Sequence, residues 1–234
     1  MRPKIAATVL GFALAILTSG TGSAATINWA VWSNTFTAGS TGGKATATIG
    51  SDAVTYSGEV ISVFGPTLPS WGPAGTFSGG TVGKPPPSGG GVQLQGGAAT
   101  STDTLTFATP VVNPVMAIIS LGAPGNSASF VFNSSEPFTI QSGGPSNEFG
   151  GVSITQSGNS VLGSEGSGTI QFIGTYSSIS WTNPVNEFYY GFTVGAQGTV
   201  GAVPLPAALP LFASGLAGLG LLGWRRKKKA QAAA

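Results

Sequence analysis

Through the middle of this chain, polar and apolar residues alternate with a period of two in short runs, and clusters of Gly, Pro, Asn and Ser separate the runs. Thr104-Leu105-Thr106-Phe107, Ser129-Phe130-Val131-Phe132, Thr169-Ile170-Gln171-Phe172 and Ser178-Ile179-Ser180-Trp181 each place large apolar side chains on one face, as half-buried strands do. Residues 27–36, 44–49, 53–56, 59–64, 92–95, 111–121, 138–141, 152–156 and 188–194 read the same way. Away from the termini, no ten-residue stretch carries a helical apolar stripe. About a dozen short strands over 26–200 predict an all-β domain: an antiparallel two-sheet β-sandwich, jelly-roll-like, with enough core to fold without cross-links.

One stretch breaks the rhythm. Residues 65–91 hold Pro66, Pro69, Pro73, Pro85-Pro86-Pro87 and Gly89-Gly90-Gly91, and are too long for a hairpin connection. The triple proline favours extended polyproline II. The expectation is a surface excursion packed by Trp71 and Phe77, with a binding loop as the alternative.

The chain has no Cys and no His, which removes disulfide scaffolds, thiolate metal sites, cysteine nucleophiles and the Ser-His-Asp triad. The expectation is a non-enzymatic protein without a cofactor. Seven acids remain, but no spacing puts two of them, Glu148 and Glu165 for example, on one face as glycoside hydrolysis needs; they read as scattered solvated charges. Asn183, Asn186 and Glu187 form the one compact set of oxygen ligands suited to calcium, and a turn after the Trp181 strand explains Asn183-Pro184 equally well. Carbohydrate binding is the alternative function, because sugar faces stack on exposed aromatic rings. The candidate platform is Trp71, Trp181 and Tyr189, drawn from a set that includes Trp29, Trp32 and Tyr190. Trp29 and Trp32 are three apart and so face opposite sides of a strand, which leaves room for only one in a core.

Charge is segregated. Apart from Lys44 and Lys84, every basic residue lies at an end, and all seven acids lie between, so two lysines against seven acids leave the middle at −5. The pI near 9.0 therefore gives no argument for nucleic-acid binding, which needs a positive patch on the folded part. The terminal charges are topology signals. Met1–Lys4 is a basic head, Ile5–Leu17 an apolar run and Thr18–Ala25 a small-residue segment, the layout of a signal peptide over 1–25. Gly22/Ala24 or Ser23/Ala25 supply the small −3 and −1 residues, so signal peptidase is expected to cut after Ala24 or Ala25.

The C-terminus has three parts: 203–208, Val-Pro-Leu-Pro-Ala-Ala; an uncharged run over 209–224; and the basic cluster Arg225, Arg226, Lys227, Lys228, Lys229. From Leu211 the run gives about 14 helical residues, roughly 21 Å, so spanning a core of about 30 Å needs the turn around 204–210 and snorkelling basic side chains. The positive-inside rule leaves 225–229 in the cytoplasm and the acidic middle outside.

This tripartite end, Val203, Pro204, Leu205, Pro206 and Ala207 followed by an apolar helix and a basic tail, resembles the PEP-CTERM protein-sorting signal in its VPLPA variant. The commoner motif has Glu where this chain has Leu205. The resemblance implies an exported substrate of an exosortase, a membrane transpeptidase-like protease, in a Gram-negative bacterium that makes exopolysaccharide or biofilm matrix. It implies a transient inner-membrane anchor, then delivery to the outer surface or matrix, with exopolysaccharide as a partner. Residues 80–195 are also similar to an uncharacterised extracellular domain of many proteins with this signal, through Thr81-Val82-Gly83 before Pro85-Pro86, Asn113-Pro114-Val115-Met116-Ala117, Gly163-Ser164-Glu165-Gly166-Ser167-Gly168, and Ser178-Ile179-Ser180-Trp181-Thr182-Asn183-Pro184 through Asn186-Glu187 to Gly191-Phe192-Thr193. That second resemblance implies location and architecture only.

Overall fold

The computed structural model describes residues 26–97 and 101–197. In chain order the strands are β1 (Ile27–Trp29), β2 (Val31–Trp32), β3 (Gly39–Ile49), β4 (Asp52–Val60), β5 (Ser62–Val63), β6 (Val92–Leu94), β7 (Asp103–Val112) and β8 (Val115–Leu121). There follow β9 (Ala128–Phe132), β10 (Phe138–Gly143), β11 (Val152–Ser153), β12 (Thr155–Ser157), β13 (Ser160–Gly163), β14 (Gly166–Phe172), β15 (Thr175–Thr182) and β16 (Tyr190–Gln197). The one helical turn among the described residues is α1 (Ala74–Phe77), inside the Gly/Pro-rich excursion.

The strands form two eight-stranded sheets, antiparallel except where the two-residue β11 runs parallel to β14. The first has the order β10-β14-β8-β16-β6-β5, with β1 also on β16 and β11 on β14; the second has the order β12-β13-β9-β15-β7-β4-β3-β2. The pairs β8·β16, β9·β15, β10·β14 and β12·β13 are nested, like one long hairpin folded on itself and shared between the sheets. Register also joins the two ends of the domain. Ile27 lies opposite Gln197, so residues 26 and 197 leave from the same place.

Between the sheets lies an aromatic core. Phe192 of the first sheet meets Trp32, Tyr56, Phe130 and Trp181 of the second at ring distances of 6.0, 5.2, 6.3 and 5.2 Å. The first sheet's far face is also covered. Along β8, Met116 and Ile118 point into this core, whereas Val115, Ala117 and Ile119 join Ile27, Trp29, Phe64, Trp71, Phe77 and Val82 in a second cluster. Period-two alternation here sends side chains into two cores, and every residue of β8 is buried.

The excursion at 65–91 roofs that second cluster. Its ends are zipped by Phe64 N–H to Gly91 O, Gly90 N–H to Gly65 O and Gly89 N–H to Pro69 O, in the manner of an Ω-loop. Trp71 Nε1 donates to Gly89 O, Thr76 Oγ1 to Pro145 O, and Thr169 Oγ1 to Phe77 O. The rings of Trp71 and Phe77 are both buried, as the excursion reading required. Phe64 lies over Gly191, where a Cβ would come within 2.5 Å of its Cζ.

Four of the strands read from the sequence break in two. Residues 27–36 divide at Ala30, β1 joining the first sheet and β2 the second. Residues 111–121 divide at Asn113-Pro114, and 152–156 divide at Ile154 between β11 and β12. Residues 59–64 divide at Ile61, Glu59 and Val60 ending β4 in the second sheet and β5 joining the first, while 53–56 falls within β4 and the spacing gave no sign of β13. The division at Ala30 corrects the tryptophan arithmetic. Trp29 and Trp32 do face opposite ways, but each meets a core of its own, and both are buried.

Candidate functional site

Four of the seven acids are not the solvated charges that the sequence suggested. Glu59, Asp103, Glu136 and Glu187 are buried, and each serves as an acceptor for backbone N–H groups. Asp103 Oδ1 accepts Glu59 N–H at 2.7 Å, and Glu59 Oε2 accepts Gln95 N–H and Gly96 N–H at 2.9 and 2.6 Å, which ties β4, β7 and the end of β6 together. Gly58 permits the first of these contacts, because a Cβ there would overlap Asp103 Oδ1. Glu136 accepts Ser180 N–H and Asn133 N–H at 3.0 and 3.3 Å. Glu187 accepts Gly122 N–H and Tyr189 N–H at 3.1 and 3.2 Å.

Burial raises Asp103 from 3.8 to about 6 despite the hydrogen bonds from Glu59 and Tyr56, with the Glu59 charge adding to the rise. Burial likewise raises Glu187 from 4.5 to about 7, opposed by its two N–H donors and reinforced by Glu165. The hydroxyls of Tyr56 and Tyr190 lie beside Asp103 and Glu59, that of Tyr190 buried without a hydrogen-bond partner, and burial pushes both phenols up.

The candidate calcium cluster is taken up by the fold. Asn183 Oδ1 accepts Trp181 Nε1–H at 2.8 Å, its Nδ2 donates to Ser129 O at 2.9 Å, and both Glu187 oxygens are occupied as described. Among the described residues, no three acids gather in a way that would hold a metal ion. A recess of about 400 Å³ is lined by Glu136, Phe138, Gln156 and Asn159, among others. There too the amides point inward: Gln156 donates to Phe138 O and Gly158 O, and Asn159 to Phe132 O.

The proposed stacking platform is overturned at two of its three positions. Trp71 and Trp181 are each 1% exposed, with their indole N–H groups bonded inside the protein. Large rings entered the cores because the sandwich needs volume and each indole found an acceptor. Tyr189 is half-buried and has different neighbours. It is the fourth ring in a column that starts at the buried Phe77 and passes through Trp71, Phe64 and Tyr189 to Phe149, with successive ring distances of 5.3, 6.5, 5.8 and 5.0 Å. Phe149 is 41% exposed and forms the open end. Beside it, Glu148 Oε1 accepts Ser70 N–H at 2.7 Å, while Glu148 Oε2 has no partner. Burial, then the Glu148 charge, raises the Tyr189 phenol. Sequence reading missed Phe149, since Glu148-Phe149-Gly150 has no alternation to mark it.

The sorting residues Val203–Ala207, the basic cluster Arg225–Lys229 and the signal-peptidase positions Ala24 and Ala25 lie outside the described residues. Among the described residues, no helix is long and apolar enough to cross a membrane. The fold and its surface define an all-β domain of two packed antiparallel sheets with a roofed outer face. No family model matches the chain, and no curated protein or solved structure matches it either.

Proposed function

We propose that this chain is a non-enzymatic exported protein of the cell surface or extracellular matrix, associated with exopolysaccharide or biofilm. Its jelly-roll-like β-sandwich is held at the inner membrane by the C-terminal segment until an exosortase-type protease processes Val203–Ala207. The pairing of Ile27 with Gln197 carries this reading. A signal peptide ending at Ala24 or Ala25 and an anchor starting near 203 would attach to one edge of the domain, so both topology signals can occupy one membrane while the sandwich folds outside it. From Gln197 to Val203 the chain reaches at most about 20 Å, so the protease would work close to that edge. The use of buried carboxylates as backbone acceptors supports a structural role for the acids.

The test uses two variants in the native host. Replacing Pro204 and Pro206, which fix an extended backbone ahead of the apolar segment, should yield an uncleaved membrane precursor with a normally folded domain. Deleting 225–229 removes the charges that set orientation, and should lose membrane retention instead. Normal maturation of both variants would end the sorting reading.

A further inference from the structure

We propose that the exposed end of the aromatic column, Phe149 with Tyr189 behind it and the Asn147 amide in the same turn, is a binding site for a neutral polysaccharide. The inference rests on the matrix reading above and names its partner. The first observation is rigidity. Phe149 is backed by four successive rings anchored at Phe77 and Trp71, so its surface is fixed before a ligand arrives, and little ordering entropy is lost on binding. An aromatic face carries negative charge density, which suits the polarised C–H face of a pyranose.

The second observation is a polar rim. Ser146 and Gly150 exchange backbone hydrogen bonds at 2.7 and 2.9 Å, which holds Asn147 and Phe149 in one tight turn. An exposed amide there offers both a donor and an acceptor to sugar hydroxyls. Asn147, on the other side of Glu148, is exposed, and its amide reaches Ser70 Oγ at 3.3 Å. Rings interleaved with hydrogen-bonding groups fit a sugar better than a purely apolar partner.

Charge and position choose the kind of glycan and its access. Between the two terminal signals the chain is at −5, which disfavours polyanions and leaves a neutral polymer as the matching ligand. Tyr189 adjoins the start of β16 and Gln197 is its end, so the site lies about 26 Å along the strand from the edge where both chain ends leave. A domain tethered by that edge presents Phe149 away from the membrane.

The experiment is co-sedimentation of the full chain, in mild non-ionic detergent, with cellulose, curdlan and mannan, and with calcium alginate as the anionic control. The expected result is retention on at least one neutral glycan and none on alginate. Phe149→Ala should weaken retention about tenfold and Asn147→Ala several-fold, with thermal unfolding unchanged in both because both side chains are exposed. The proposal is overturned if the wild type binds none of the three neutral glycans, or if Phe149→Ala and Tyr189→Ala both bind as the wild type does. Retention on phenyl resin alone would also overturn it, in favour of an apolar protein partner. Localisation is read separately by cell fractionation, so an exported protein that ignores glycans would sink this inference and leave the matrix reading standing.

Discussion

The two hydrophobic clusters on either side of the first sheet are built in opposite ways. The inner one is symmetrical: two sheets contribute large rings, and Trp181 and Phe192 each meet Tyr56 and Phe130 at ring distances of 5.2 to 6.3 Å. The outer one has a sheet on one side only. Its floor is β8's Val115, Ala117 and Ile119 beside the glycines of β16, and its roof is a loop without a sheet of its own. The comparison teaches that a glycine-rich strand face can be covered with no more than one helical turn, provided that the covering loop brings its own rings and closes its own backbone hydrogen bonds. It also implies that the roof opens at lower free energy than the sandwich beneath it.

The difference can be broken by mutation. Trp181→Ala removes a ring from the symmetrical core and should cost about 3–5 kcal/mol, read as a lower urea midpoint with one cooperative transition. Trp71→Ala should act mainly on the roof. Its global cost should stay below about 2 kcal/mol while amides in 65–91 exchange faster and protease cuts there first. If Trp71→Ala lowered the midpoint as much as Trp181→Ala with no local opening, the two clusters would be one unit.

Acid sharpens the comparison, since Asp103 and Glu187 pin strand ends at the rim of the inner core. Both are raised in the fold, so the folded state takes up protons before the unfolded state does, and stability should rise as pH falls through about 7 and 6. Asp103 alone should contribute about 1.4 kcal/mol between pH 8 and pH 5, with the rest of its gain arriving near its ordinary value of 3.8. Melting curves at the two pH values measure this, and Asp103→Asn, which keeps an acceptor for Glu59 N–H, should remove that share. A flat profile in the wild type would contradict it. The smallest effect is expected at Phe188, which is 84% exposed: Phe188→Ser should move stability by less than about 0.5 kcal/mol.

The same contrast explains what the sequence disclosed. Alternation located most strands, since Leu105, Phe107, Ile170, Phe172, Ile179 and Trp181 all face the inner core as their spacing implied. Alternation names a face, however, and not a sheet. It therefore could not reveal that the chain changes sheets at Ala30, Ile61 or Ile154, or that a strand with two buried faces divides its residues between two clusters. The apolar run Val115–Ile119 was the available sign of burial on both sides. For the acids, a sign existed at one position: Asp103 shares parity with Leu105 and Phe107 and so falls on the core side of β7. Glu136 and Glu187 precede or follow turns, where spacing carries no facing. The column ending at Phe149 joins residues from three separate parts of the chain, and only the fold brings them together.

Intact-mass measurement of the protein recovered from the cell surface or medium tests the central claim most directly. The account predicts a mature form that begins at Ala25 or Thr26 and has been cut at or beside Val203–Ala207, without Arg225–Lys229. Recovery of the full 234-residue chain from the cytoplasm, with both ends intact, would contradict it.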